Sequence, residues 1–189
     1  VVDTGHSGFG RYPLQNVALG LLMRGPKHGY GLYQDFTEFF GSIWKAGQTK
    51  FYVALADLQK GGSLDATMEP QENRPARKVY RLKDAGREQF LSWLQEPVRS
   101  MRTVRVEFIA KLRFFDLLDL EGAGALIDAQ IGVFQAMVDE WEEAIAGSGA
   151  VEADPFYGLV YDFRVRQARF IIEWLEACKS HIAAGQLKV

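Results

Sequence analysis

A chain of 189 residues has room for one ordinary domain or two small ones, and 48% hydrophobic with 24% charged residues is a globular composition that excludes a disordered tract, a collagen-like repeat and a disulfide scaffold. The net charge of −2 hides a split: residues 1–100 hold 13 Lys and Arg against 10 Asp and Glu, a balance of +3, and residues 101–189 hold 9 against 14, a balance of −5. The single cysteine, Cys178, can form neither an internal bridge nor a zinc cluster, and no apolar run nears the ~18 residues of a membrane span, so a soluble, cytoplasmic chain without membrane contact is expected.

Residues 1–11, with Gly5, Gly8 and Gly10, read as a flexible leader without the basic and apolar parts of a signal peptide. Leu14, Val17, Leu21 and Leu22 follow helical spacing over 14–23, and Gly25-Pro26 ends that helix because proline cannot continue the hydrogen-bond ladder. A second helix is expected over 28–40, with Tyr30, Tyr33, Phe36, Phe39 and Phe40, ending at Gly41. A third, over 48–60, carries Phe51, Leu55 and Leu58 on one face and closes at Gly61-Gly62, where a left-handed cap costs glycine little. Segments 63–68 and 78–82 have strand character and flank a polar, partly basic stretch over 69–75, which predicts a hairpin with a long tip. Helical spacing returns over 85–95, stops before Pro97, and resumes through Val104, Phe108, Leu112 and Phe115 until it fades at 119–124.

The last third is the most regular. Ile127, Ile131, Phe134, Val138, Trp141 and Ile145 alternate spacings of four and three, the period of a helix packing along a seam. Gly147-Ser-Gly149 breaks the pattern, Asp154-Pro155 supplies a cap and a proline at the first helical position, and Phe156, Val160, Phe163, Phe170 and Trp174 continue the spacing. Helices over 123–147 and 156–184 with so many large aromatics exceed what the first half can cover, so part of them is expected to be buried in a homodimer.

Three helices, a hairpin and a helix are the order of a winged helix-turn-helix, whose third helix enters the major groove while the wing reaches phosphates or the minor groove. The expected fold is mainly α: a flexible leader over 1–11, a winged helix-turn-helix with a small β-hairpin wing over 12–97, and a C-terminal α-helical dimerisation domain over 98–189. The stretches Leu19-Gly-Leu-Leu-Met-Arg-Gly-Pro-Lys-His-Gly-Tyr-Gly-Leu32, Phe51-Tyr-Val-Ala-Leu-Ala-Asp-Leu58 and Asn73-Arg-Pro-Ala-Arg-Lys-Val-Tyr-Arg-Leu-Lys-Asp-Ala-Gly-Arg87 together resemble the PadR family of bacterial transcriptional regulators, and the helical remainder looks like its longer subfamily. The resemblance implies a transcriptional repressor acting as a homodimer on near-palindromic double-stranded DNA. It also raises a small planar aromatic effector sensed between the C-terminal helices. Where members usually read Ser-Pro-Gly-Thr-(Ile/Leu)-Tyr-Pro, this chain has Gly47-Gln-Thr-Lys-Phe-Tyr-Val53, so its operator cannot be borrowed from relatives.

The candidate DNA-binding residues follow from position. Gln48, Thr49, Lys50 and Tyr52 occupy the first turns of the third helix, where Gln can bond adenine bidentately and Lys can reach guanine or phosphate; core packing is the competing reading for Tyr52, less favoured because Phe51, Leu55 and Leu58 already supply the buried face. Arg74, Arg77 and Lys78 lie on the wing, where the family resemblance implies phosphate or minor-groove contacts. Lys27, His28 and Tyr30 open the second helix, whose N-terminus favours a phosphate, and Tyr30 reads equally as half-buried core. Phe134, Trp141, Phe163, Phe170 and Trp174 are the candidate effector pocket, with plain core as the competing reading. His6, His28 and His181 have no metal-ligand spacing, and no phosphate loop, nucleophile elbow or dinucleotide fingerprint occurs, so neither catalysis nor a cofactor is expected. Glu140, Glu142 and Glu143 read as a solvated helix face, and Cys178 as packing or a redox-sensitive thiol. A winged-helix adaptor that binds protein is the alternative to DNA binding.

Overall fold

The structure is a computed structural model in which residues 12–71, 74–147 and 155–184 are described. The expected leader and the expected break and cap over 148–154 lie outside them. The chain forms two compact units: one comprises the residues up to Gln95 together with Ile109–Phe114, the other Glu96–Phe108 and the residues from Phe115 onward. Both are mainly helical, and a three-stranded antiparallel sheet completes the first.

In the first unit α1 (Tyr12–Leu22) is the central element, with Val17, Ala18 and Leu19 fully buried. It stops where Gly25 adopts φ +127°, a conformation open to glycine, followed by Pro26. Strand β1 (Lys27–His28) pairs with β3, placing Lys27 opposite Tyr80 and His28 opposite Val79. α2 (Gly29–Phe40) begins one residue later than expected because His28 is its N-cap, its Nδ1 accepting from the Gly31 N–H at 2.9 Å. α3 (Gln48–Lys60) has the predicted bounds. Its end is a Schellman closure: Ser63 N–H donates to Leu58 O at 3.0 Å, Gly62 N–H to Gln59 O at 3.1 Å, and Gly62 takes φ +80°.

The wing is β2 (Leu64–Gln71) and β3 (Arg74–Leu82), in register Leu64↔Leu82, Ala66↔Tyr80 and Glu69↔Arg77, with an irregularity between Glu69 and Gln71. Both strands run further than expected. The polar residues over 69–75 read as a long tip, yet an exposed two-stranded ribbon buries neither face and tolerates polar side chains without breaking its ladder. α4 (Asp84–Gln95) then covers α1 with Phe90, Trp93 and Leu94. The core is a chain of rings: Phe36 meets Trp44 at 5.3 Å and Phe51 at 5.4 Å, Phe40 meets Phe114 at 4.8 Å, and Phe90 meets Phe114 at 5.0 Å. Gly20 faces this cluster so closely that an added methyl would lie 2.5 Å from ring carbons of Phe114 and Phe90.

The second unit contains α5 (Met101–Thr103), a π-helical stretch (Val104–Phe108), the end of α6 (Ile109–Leu117), α7 (Ala123–Gly147) and α8 (Pro155–Ala183). Lys179 bonds Asp128 at 2.6 Å and Arg169 pairs with Glu142, so the start of α7 lies beside the end of α8 and the two run antiparallel. α7 buries Ile127, Phe134 and Val138 as its spacing predicts. The buried line of α8 differs from the expected one. Val165, Ala168, Ile171 and Leu175 are buried, whereas Phe156, Phe163 and Phe170 are 66–69% exposed. Both lines have helical spacing; Val138 fills the seam from α7 against Val165 and Ala168, and these smaller side chains of α8 let the two helices approach. Gln130, fully buried, bonds both backbone groups of Val98, accepting from its N–H at 2.7 Å and donating to its carbonyl at 2.8 Å. Burial also pushes the pKa of the half-buried Cys178 thiol up, which favours its neutral, less reactive form.

Candidate nucleic-acid interface

α3 is held from beneath. The Tyr33 hydroxyl donates to the Ala46 carbonyl at 3.2 Å just before the helix starts, its ring meets Phe51 edge-on at 5.7 Å, and Phe51, Ala54, Leu55 and Leu58 are buried. With successive residues about 100° apart around a helix, that anchored face turns Thr49, Val53, Ala56 and Lys60 directly outward. All four are exposed. Gln48 and Lys50, also exposed, flank this line on opposite sides. Gln48, Thr49, Tyr52, Val53 and Ala56 border an open depression of about 500 Å³. Gly47 gives the helix no side-chain cap, so its first-turn N–H groups remain available to an acceptor.

Tyr52 serves packing on one side. Its ring lies against the first residue of α2, where a methyl added to Gly29 would sit 2.8 Å from the Tyr52 ring, while the residue stays half-exposed. Tyr80 is buried, and that burial, with Tyr52 nearby as the lesser cause, raises its phenol pKa.

The wing separates residues that are adjacent in sequence, because successive side chains of a strand point to opposite faces. Lys78 turns toward α3: its Nζ donates to Gln59 Oε1 at 2.7 Å and lies 5.2 Å from the Tyr80 ring centroid. Arg77 turns the other way together with Arg81, and both meet Glu69, at 3.8 and 3.3 Å. The Arg74 side chain lies outside the described residues. At the start of α2, Tyr30 is exposed, but Lys27 forms a two-pronged ion pair with the largely buried Asp35, Nζ to the carboxylate oxygens at 2.7 and 2.6 Å. The His28 Nδ1 lone pair is committed to capping. Lys27 and His28 therefore shape the first turn of α2 before they can offer anything to a phosphate.

Sequence reasoning passed over Val53, Ala56, Glu69 and Arg81. The first two could have been found from the opposite face of the Phe51-Leu55-Leu58 stripe, and Arg81 from its period-two relation to Arg77. In the second unit Phe134 is buried, Trp141 and Trp174 are half-buried, and Phe163 and Phe170 face away from the α7 seam, so these five do not converge on one cavity within a protomer. Among the described residues no group of three His, Cys, Asp or Glu could hold a metal ion, and no helix is long and apolar enough to cross a membrane.

Residues 18–92 match the model of the transcriptional regulator PadR-like family. The chain is 27% identical over 171 residues to the negative transcriptional regulator PadR of Bacillus subtilis (strain 168), a match covering 87% of this chain and 94% of that protein. It is 31% identical over 97 residues, 51% of each chain, to the Mycobacterium tuberculosis protein described as "Probable transcriptional regulator Rv1176c". Among solved structures, B. subtilis PadR in complex with operator DNA is similar at 26% identity and a TM-score of 0.45, over 88% of this chain and 96% of that one. The domain that carries α3 and the wing, residues 18–92, is thus the part of the chain that matches the PadR-like family of transcriptional regulators.

Proposed function

We propose that the chain is a sequence-specific DNA-binding repressor that acts as a homodimer on a near-palindromic operator, with α3 in the major groove and the wing on the phosphates or minor groove. The observation that carries this reading is the outward face of α3: a firmly anchored third helix presents Gln48, Thr49, Lys50 and Val53 free of the core, with the half-exposed Tyr52 at its edge, beside a wing bearing Arg77 and Arg81. That is the geometry of base reading plus backbone positioning. It supports a regulator working in the cytoplasm by binding rather than by catalysis.

The exposed line Phe156, Leu159, Phe163 and Phe170 lies nearly opposite the buried face of α8 and supports the second copy. A small planar aromatic effector would be sensed on the same helices, where Trp141 and Trp174 offer half-buried rings. The half-sites should lie one or two helical turns apart, roughly 34 Å or a multiple. In-vitro selection from random duplexes with the full chain, followed by a salt titration, tests the reading. An enriched two-fold site and affinity falling steeply with salt are expected; no enrichment and no salt-dependent binding would instead favour a protein-binding winged helix. Sedimentation tests the dimer: Phe163→Glu should shift a dimeric wild type toward monomer while leaving its helical content intact.

A further inference from the structure

The centre of the outward face of α3 is apolar. Val53, 47% exposed, sits between Thr49 and Ala56 on the most outward line of the helix, with polar Gln48 and Lys50 displaced to its flanks. A β-branched side chain at an exposed helical position gains neither packing nor helix propensity. Its two methyl groups stand at the border of the open depression that Tyr52 and Ala56 also line. In the major groove only thymine carries an alkyl group, its C5-methyl; apart from the smaller C5–H of cytosine, the other positions present hydrogen-bond donors and acceptors that a valine would desolvate without compensation.

We infer that Val53 is a specificity-determining residue that reads a thymine by packing its methyl groups, with Ala56 beside it, against the thymine C5-methyl in each half-site. The inference rests on the DNA-binding reading above and deepens it. It assigns the middle of the recognition surface to apolar contact and leaves hydrogen-bonded readout to Gln48, Thr49 and Lys50 around it.

The test starts from the operator that the 189-residue chain selects from random duplexes. Each thymine of one half-site, and its two-fold mate, is replaced by deoxyuridine, which removes the methyl group and nothing else. Dissociation constants are then measured by fluorescence anisotropy for wild type and for Val53→Ala, whose unchanged melting temperature is checked because alanine is a good helix former. At one thymine per half-site, wild type should lose about fourfold per methyl removed, the transfer of one methyl group out of water, or roughly fifteenfold for the symmetric pair. Val53→Ala should already show most of that loss and respond to the same replacement by less than twofold.

Deoxyuridine that costs wild type nothing at any position, on an operator bound specifically, would overturn the inference and leave DNA binding standing. An equal loss in wild type and Val53→Ala would also overturn it, because another residue would then read the methyl group. Failure of the selection to enrich any site would instead defeat the DNA-binding reading itself, and the inference with it.

Discussion

Glu69→Gln should tighten binding to DNA of any sequence. Glu69 faces Arg77 across the hairpin and also reaches Arg81, so each wing holds two guanidinium groups on one carboxylate. Exposed ion pairs contribute ~0.2–1 kcal/mol each. The 3.8 Å contact to Arg77 belongs near the bottom of that range and the 3.3 Å contact to Arg81 near its middle, about 0.2 and 0.5 kcal/mol. A wing that turns both cations onto phosphates gives up about 0.7 kcal/mol, and two wings of a dimer about 1.4 kcal/mol, which corresponds to tenfold in affinity. Glutamine preserves the shape of the side chain and removes the charge. The assay is fluorescence anisotropy on a random-sequence duplex across a salt series, with Glu140→Gln on α7 as the control for overall charge. The variant should bind about tenfold tighter at low salt. An unchanged logarithmic salt slope would mean that the arginines change partner when wild type binds, and a steeper slope that wild type leaves them on Glu69. Unchanged or weaker binding would refute the reasoning, because Arg77 and Arg81 would then not be approaching DNA.

Gln130→Leu should destabilise the chain by about 2–5 kcal/mol, since the N–H and the carbonyl of Val98 both lose a partner inside a buried site; denaturant unfolding measures this. Tyr52→Phe keeps the ring that packs on Gly29 and removes the hydroxyl, so weaker specific DNA binding at an unchanged melting temperature is the expected outcome, and unchanged affinity would return Tyr52 wholly to the core. Tyr80 has a folded-state pKa above its ordinary 10.0, so its contribution to stability is complete below pH 10 and is lost as pH rises through the folded value. Alkaline titrations of thermal unfolding should therefore show a shallower fall above pH 10 for Tyr80→Phe than for wild type.

The third helix was legible to the residue because glycines punctuate it on both sides and a clean apolar stripe runs between them. α7 was legible in its extent and in Ile127, Phe134 and Val138, whereas Ile131, Trp141 and Ile145 of the same line are half-buried and Leu126 and Gln130 are buried beside it. The strand β1 was not, since two residues cannot display an alternation and its pairing partner is some fifty positions away in β3. On α8 two apolar lines compete, and size misled: the aromatic line looks like core, whereas the surface of α7 that faces the helix is already filled by Val138, which packs with the smaller Val165 and Ala168. At the wing the basic cluster was legible as composition but not as geometry. Arg77 and Lys78 are neighbours in the chain and point to opposite faces, so the residue that shares a face with Arg77 is Arg81, and the counter-charge that both meet comes from the other strand.

Phe114 belongs by packing to the first unit, between Phe40 and Phe90 and against the open side of Gly20, yet the chain reaches it only after passing through residues 96–108 of the second. The unit that carries α3 thus stays unfinished during synthesis until residue 114 has emerged, because its aromatic core includes a segment borrowed from further along the chain. The two units are consequently not cassettes. A recombination event that joined this winged domain at residue 97 to a foreign C-terminal half would have to bring an aromatic of the same size to the same place, or leave a ring-sized hole facing a glycine that offers no side chain to fill it.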